Sequence, residues 1–347
     1  MQIVKIISLA SALLIGGSLA GCDNKSTTSQ QADKTAFITI GSGSTTAVYY
    51  PIANGIAKMI NDAKINVKAN ARSTGGSIYN IKALQEGQLQ MAIVQTDLGS
   101  YAHYGKIIPA FKTNPANKIE AIATLYPEVV HIVARKNRNI NSVADLKGKR
   151  VYVGDIGSGV EQTAIQVLGA YGLTFKDIVP IRGSANLGAQ QLQDNRAAAM
   201  FYTLGLGSAA IQQVAQVAPV KFLSIDPATQ QKLIKEYPFY AKYTIPTEQN
   251  GGYKGISQPV HTLAVKAMLV VANKHTLPDK VMEKVLDALF SSNHIDQFKS
   301  IHSNLANFSL QRALQGVPIP LNCGAAHYYK ERGVDVPVRL IPKDCTL

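Results

Sequence analysis

FITIGSGSTTAVYYPIANGIAKMI, residues 37–60, carries the plan of the fold. Residues 37–40 are a short β-like run that stops at the Gly/Ser/Thr-rich turn of residues 41–46. Beyond the turn, Ile52, Ile56, Met59 and Ile60 recur at helical spacing. The same plan returns along the chain. Residues 65–71 read as extended, 73–77 as a turn and 78–86 as a helix. Residues 91–94 have the composition of a buried strand, closed by Gln95-Thr-Asp97. Residues 150–153 lead through the glycine-rich turn of 154–159 into a helix over 160–169, and 198–202 lead through 203–205 into another. Strand, polar turn and helix in repetition predict an α/β fold with mainly parallel sheet.

In such sheets guests bind beyond the carboxyl ends of the strands, where these turns lie. Helices that begin there aim free N–H groups and a partial positive charge at the same space. Glycine lets the backbone approach a guest, and Ser or Thr either caps a helix or donates to the guest. The composition suits a small anion, a carboxylate foremost. The candidate binding residues are therefore Gly43, Ser44, Thr45 and Thr46 in the first turn, and Ser73, Thr74, Gly75, Gly76 and Ser77 in the second. Gly157, Ser158 and Gly159 in the third turn, with Tyr202 and Thr203 at a strand end, complete the set from the turns. Tyr49 either covers a guest with its ring or packs in the core, and the same choice holds for Tyr50. Gln95, beside Thr96, offers donor and acceptor to a guest or to backbone. Glu161 either faces a guest's amino group or serves the helix dipole; Asp97 either binds the ammonium of an amino-acid guest or caps its helix, with capping preferred. No arginine is singled out by spacing; Arg72, next to the second turn, is preferred over Arg135 and Arg182 as a carboxylate clamp.

Residues 129–136 and 267–274 are similar apolar extended segments and read as crossings between two lobes. The first lobe is expected over 36–130 plus 267–347, closed by C-terminal helices such as 278–291, and the second over 131–266. Two crossing strands make a hinge, because few residues need change φ and ψ.

The chain of 347 residues is 46% hydrophobic and 16% charged, a folded composition with room for a core. One apolar run stands out, near the N-terminus, which excludes a polytopic membrane protein. Residues 1–21 have the layout of a secretory signal, with Leu19-Ala-Gly-Cys22 at its end. That tetrad resembles a bacterial lipobox, which implies acylation of Cys22; an ordinary signal cut near Gly21 is the alternative. Residues 22–35 are polar and read as a flexible tether, and Asp23 resembles an inner-membrane retention signal. The expected location is the periplasm, on a lipid anchor that favours the inner membrane. In that oxidising compartment Cys323 and Cys345 are expected to pair, which stabilises by roughly 3 kcal/mol in the chain-entropy model.

The net charge is +13, but the basic residues are dispersed, so nucleic acid is not an expected partner. The seven histidines form no close ligand set, and no metal is expected. The glycine-rich turns lack the Gly-Lys-Ser/Thr of a phosphate loop, the third glycine of a dinucleotide fingerprint and the frame of a nucleophile elbow. No cofactor and no enzymatic activity are expected. A carboxylate-processing enzyme on a similar two-lobed fold and a ligand-sensing protein are the alternatives.

ITIGSGSTTAVYYP (38–51) resembles the opening signature of TAXI proteins, the extracytoplasmic solute-binding subunits of one class of TRAP transporters. STGGSIYN (73–80), the segment 84–97 with Gly87 and VQTD at its end, LKGKRVYVG (146–154) with GSG (157–159), and YYKERG (328–333) are similar to later signatures in the same order. The resemblance spans 37–335. It implies a two-lobed periplasmic-binding-protein type II fold and delivery of a solute to a TRAP permease driven by an ion gradient. It also implies glutamate or a related dicarboxylate as guest. The chain departs from the family in a first turn richer in hydroxyls than in glycine, and in its lipid anchor.

Overall fold

The computed structural model describes residues 35–273 and 276–347. The signal segment, Cys22 and all of the tether but Thr35 lie outside the described residues. The strands are β1 (Ala36–Gly41), β2 (Val67–Arg72), β3 (Met91–Gln95), β4 (Glu120–Arg135), β5 (Arg150–Tyr152), β6 (Val179–Ile181), β7 (Ala199–Leu204), β8 (Val220–Phe222), β9 (Ala241–Ile245) and β10 (Val260–Val271). The helices are α1 (Tyr49–Asp62), α2 (Ser77–Gln85), α3 (Thr96–His103), α4 (Pro109–Thr113), α5 (Gly159–Ala170) and α6 (Ala185–Gln193). They continue with α7 (Ala209–Val217), α8 (Pro227–Glu236), α9 (Asp279–Phe290), α10 (Ser292–Ile301) and α11 (Cys323–Glu331).

The fold is mixed α/β. The strands join in the order β2-β1-β3-β10-β4-β7-β5-β6, with β9 beside β10 and β8 beside β4. Pairing is parallel within the outer triplets, β2-β1-β3 and β7-β5-β6. It is antiparallel wherever β4 or β10 takes part. The expectation of mainly parallel sheet therefore needs correcting. The turn-and-helix repeats describe the triplets only. The centre is built from two long strands, each running antiparallel to every strand it pairs with.

Those strands are longer than the apolar runs that announced them. β4 has 16 residues, nearly all buried, because both faces of a central strand are covered. β10 pairs with β3 over Ala267 to Val271 and with β9 over Val260 to Ala264, so the two ends of this strand take different partners. The helical spacing of 52–60 resolves as α1, which buries Ile52, Ile56, Met59 and Ile60. Against α1 pack α9 and α10, and α11 packs on α9. Phe290 stacks on Phe308 at 5.0 Å between centroids, and Phe298 meets Phe308 edge-on. Cys323 at the start of α11 is bonded to Cys345. A second apolar cluster lies around β5, α5 and α8, with Val151, Val167 and Leu233 fully buried.

Candidate functional site

A cavity of about 370 Å³ opens where the strands of both triplets end. Gly43, Ser44 and Thr45 follow β1; Ser73, Thr74, Gly75 and Gly76 follow β2; Gln95 ends β3. From the other triplet come Tyr152 at the end of β5 and Tyr202, Thr203 and Leu204 at the end of β7. Four helices begin on the wall: α1 at Tyr49, α2 at Ser77, α5 at Gly159 and α6 at Ala185. Their N–H groups and dipoles give the wall a positive potential without a cationic side chain.

The turns are held by their own hydroxyls. Ser73 Oγ donates to the Gly43 carbonyl and Thr74 Oγ1 to the Ser42 carbonyl, each at 2.9 Å. Ser77 Oγ accepts from the Gln95 N–H at 3.1 Å. Gly76 precedes α2 at φ +100°, a conformation a side chain would strain, and no side chain caps that helix. Across the cavity the Ile78 and Tyr79 N–H groups donate to the Gly157 carbonyl at 3.1 and 3.3 Å, which ties α2 to the loop before α5. At Gly159 a Cβ would stand 2.4 Å from the Gln95 side chain, so glycine is what lets α5 come this close.

Glu128 is the buried acid of the site. It projects from β4 into the wall at 2% exposure and accepts from the Tyr49 hydroxyl at 2.7 Å. Burial, with Asp97 nearby adding repulsion, pushes its carboxyl up to about 8. Asp97, in the first turn of α3, is raised by burial to about 7. Gln95 Oε1, Tyr202 Oη and Thr203 Oγ1 are buried at the cavity without a partner, which an incoming polar guest would supply. Among the described residues, Arg, Lys, His and Cys are absent from the lining.

The family model of the NMT1-like family matches residues 40–333. The chain belongs to the NMT1-like family. Among solved structures it is similar to the alkanesulfonate-binding protein SsuA from Xanthomonas axonopodis pv. citri bound to MOPS. That likeness has 15% identity and a TM-score of 0.47, over 90% of this chain and 96% of that one. It is also similar to a putative L-cystine ABC transporter from Listeria monocytogenes, at 16% identity and TM-score 0.48, over 78% of this chain and 97% of that one. An ancestral arginine-binding protein bound to arginine matches at 19% identity and TM-score 0.46, over 78% and 98%.

In this NMT1-like chain the cavity gathers fourteen of the expected binding residues: Gly43, Ser44, Thr45, Tyr49, Ser73, Thr74, Gly75, Gly76, Ser77, Gln95, Ser158, Gly159, Tyr202 and Thr203. Five others lie outside the lining. Thr46 Oγ1 turns to Ser44 Oγ at 3.3 Å. Arg72 is exposed, and its carbonyl serves Ser42. Thr96 Oγ1 accepts from the Lys266 N–H at 3.4 Å. Gly157 offers its carbonyl to α2, as above. Glu161 accepts from the Gly157 N–H at 3.0 Å and from Arg182 Nε at 2.7 Å, so its carboxylate is committed to the loop and to an arginine. Arg135 is buried and donates to the Leu192 and Gln193 carbonyls at 3.2 Å. Asp97 does not cap α3: both its oxygens are buried without a hydrogen-bond partner among the described residues.

The lining also holds residues the sequence reading missed, chiefly Glu128, Tyr152, Asp155 and the start of α6 at Gly183, Ser184 and Asn186. Gly183-Ser184 before a helix repeats the signal of the other turns and was there to be read. Glu128, an acid inside an apolar run, was a second signal. Among the described residues, Cys323, His327 and Cys345 bring their ligand atoms within 4.8 Å of one another, but both sulfurs are in the disulfide and no thiolate is offered to a metal.

Proposed function

We propose that this protein is an extracytoplasmic solute-binding protein. It captures a small carboxylate or amino acid between two lobes and presents the closed form to a membrane permease. The observation that carries the reading is the cavity itself. Helix starts and hydroxyls from both parallel triplets converge on one open cavity, where Gln95 Oε1, Tyr202 Oη and Thr203 Oγ1 await a partner. The lining offers a guest contacts but no Ser–His or Cys–His pair for covalent work. Family membership supports the same reading.

The lobes are 36–130 plus 267–347 and 131–266, and they move about β4 and β10, the two strands that run through both. The guest shifts the population toward closure to the extent that it binds the closed form more tightly. The resemblance to TAXI proteins favours a TRAP permease as partner and glutamate or a related dicarboxylate as guest. Cys22 holds the lipid anchor on the periplasmic side, and residues 22–35 let the binding body move above the membrane. Among the described residues no helix is long and apolar enough to cross a membrane.

The test is mass spectrometry of small molecules released from native protein. It is followed by thermal shift of unfolded and refolded protein against the molecule found. A recovered carboxylate that raises Tm in a saturable way, and returns unchanged after long incubation, is the expected result. Turnover of that molecule, or no stabilisation at millimolar concentration, overturns the reading.

A further inference from the structure

The charge inside the cavity narrows the class of guest. Glu128 is a lining residue buried to 2% exposure, and its one hydrogen bond comes from the Tyr49 hydroxyl. Among the described lining residues the only other acid is Asp155, and no Arg, Lys or His stands there. A guest with two carboxylates and no amine would place its second negative charge beside a buried acid that offers it no cation. That charge would hold Glu128 in its protonated form, because a second carboxylate beside an ionised one is repelled. One carboxylate is provided for by the uncapped start of α1 and the Ser77 end of α2, whose next two N–H groups already donate to the Gly157 carbonyl. A cation beside Glu128 would let it ionise inside the wall, and among the described lining residues none supplies one, so an ammonium of the guest is the source.

We infer that the guest is a zwitterion whose protonated amine rests against Glu128 while its carboxylate meets the helix starts. Glu128 is then the residue that selects amino acids over diacids without an amine. The inference rests on the binding-protein reading above and sets the amine, not a second carboxylate, as the group recognised. Tyr49 is a positioning residue: its hydroxyl holds one oxygen of Glu128 and leaves the other to the guest.

The experiment compares acids that differ only in the α-amine, by isothermal titration of refolded full-length protein. The pairs are L-glutamate with glutarate, L-glutamine with glutaramate, L-aspartate with succinate, and L-leucine with 4-methylpentanoate. For the pair that fits, the amino acid should bind at least about thirtyfold more tightly, the scale for a buried charge left unpaired. Glu128→Gln should remove most of that ratio, chiefly by weakening the amino acid. Tyr49→Phe, which leaves the carboxylate in place, should narrow the ratio less. Equal or tighter binding of the amine-free acid to the unaltered protein overturns the inference and leaves the carboxylate-binding reading standing. If no member of any pair binds at millimolar concentration, both fall together. Should Glu128→Gln fail to fold, the ratio in the unaltered protein and in Tyr49→Phe still decides.

Discussion

The two triplets of strands present helix starts to one cavity and finish them differently. α5 and α6 are capped from within, Ser158 Oγ accepting from the Glu161 N–H at 3.1 Å and Ser184 Oγ from the Leu187 N–H at 3.4 Å. α1 follows Val48 and α2 follows Gly76, and neither has a side-chain cap. Part of what α2 lacks comes from the opposite side, as the Gly157 carbonyl accepts from Ile78 and Tyr79. A helix start left incomplete until another body arrives is a place for binding, whereas one completed by its own serine is a place for support. The difference suggests that the β2-β1-β3 side grips the guest and that the β7-β5-β6 side closes over it.

The buried titrating groups divide along a similar line, and pH offers the largest effect. Asp97 on α3 and Glu128 on β4 are raised by burial, to about 7 from 3.8 and to about 8 from 4.5. The folded form holds these protons more tightly than the unfolded chain. Their contribution is complete below about pH 4 and is lost as pH rises through 7 and 8. His131, against β7, is lowered by burial to about 4 from 6.5, so its contribution is present above 6.5 and lost as pH falls through 4. Guest-free protein should therefore lose Tm between pH 5 and pH 8, with a slope of up to about 1.4 kcal/mol per pH unit for each acid. Glu128→Gln should flatten that limb and leave the acid limb unchanged. A Tm equally flat in both proteins would show that Glu128 is ionised and solvated in the guest-free form.

A side chain at Gly159 probes the approach of the two sides directly. A Cβ there would sit 2.4 Å from the Gln95 amide, so Gly159→Val should hold the sides apart. Binding of the molecule recovered from native protein should weaken about a hundredfold, on the order of 3 kcal/mol, as overpacking at a tight contact does. Gly169→Ala on the same helix, where a Cβ meets nothing within 4 Å, is the control. It should leave affinity alone and stabilise by up to about 1 kcal/mol. Equal affinity in both variants would mean that α5 does not need to come this close.

How much of this was written in the sequence depends on the range of the physics involved. The strand, turn and helix of 37–60 depend on neighbours in the chain, and β1 and α1 appear where composition and spacing put them. The turns at 73–77 and 154–159 converge on the cavity for the same local reason. The antiparallel centre was not legible, because which strand lies beside β4 is decided by tertiary packing. Glu161 illustrates the limit for side chains. Its place in the first turn of α5 was readable, but its pairing with Arg182, 21 positions on, was not. Glu128 stood in plain view as an acid among apolar residues, yet only the fold shows that its strand passes the cavity wall.

Caps give the next effect in size. Ser158→Ala removes the cap of α5 and should lower stability by about 1 kcal/mol, read by chemical denaturation. Because that serine completes its own helix, affinity should fall little. Ser77→Ala touches the other side. It removes the acceptor of the buried Gln95 N–H and a hydroxyl at the open start of α2, so both stability and affinity should fall, each by about 1–2 kcal/mol. If the two variants showed the same ratio of affinity loss to stability loss, the division into a gripping and a closing side would be wrong.

The smallest effect belongs to Arg182. Its pair with Glu161 is partly exposed, its ring partner is Phe175 at 4.9 Å, and Glu161 retains the Gly157 N–H without it. Solvent and salt screen such a pair, so Arg182→Ala should cost about 0.5 kcal/mol of stability. It should leave affinity for the native guest within about twofold, since neither residue lines the cavity. The value of so small a change is its asymmetry. If affinity fell tenfold with stability intact, the arginine would be acting as the clamp that the lining lacks. The guest's carboxylate would then have to be assigned to the β7-β5-β6 side, reversing the roles inferred from the caps.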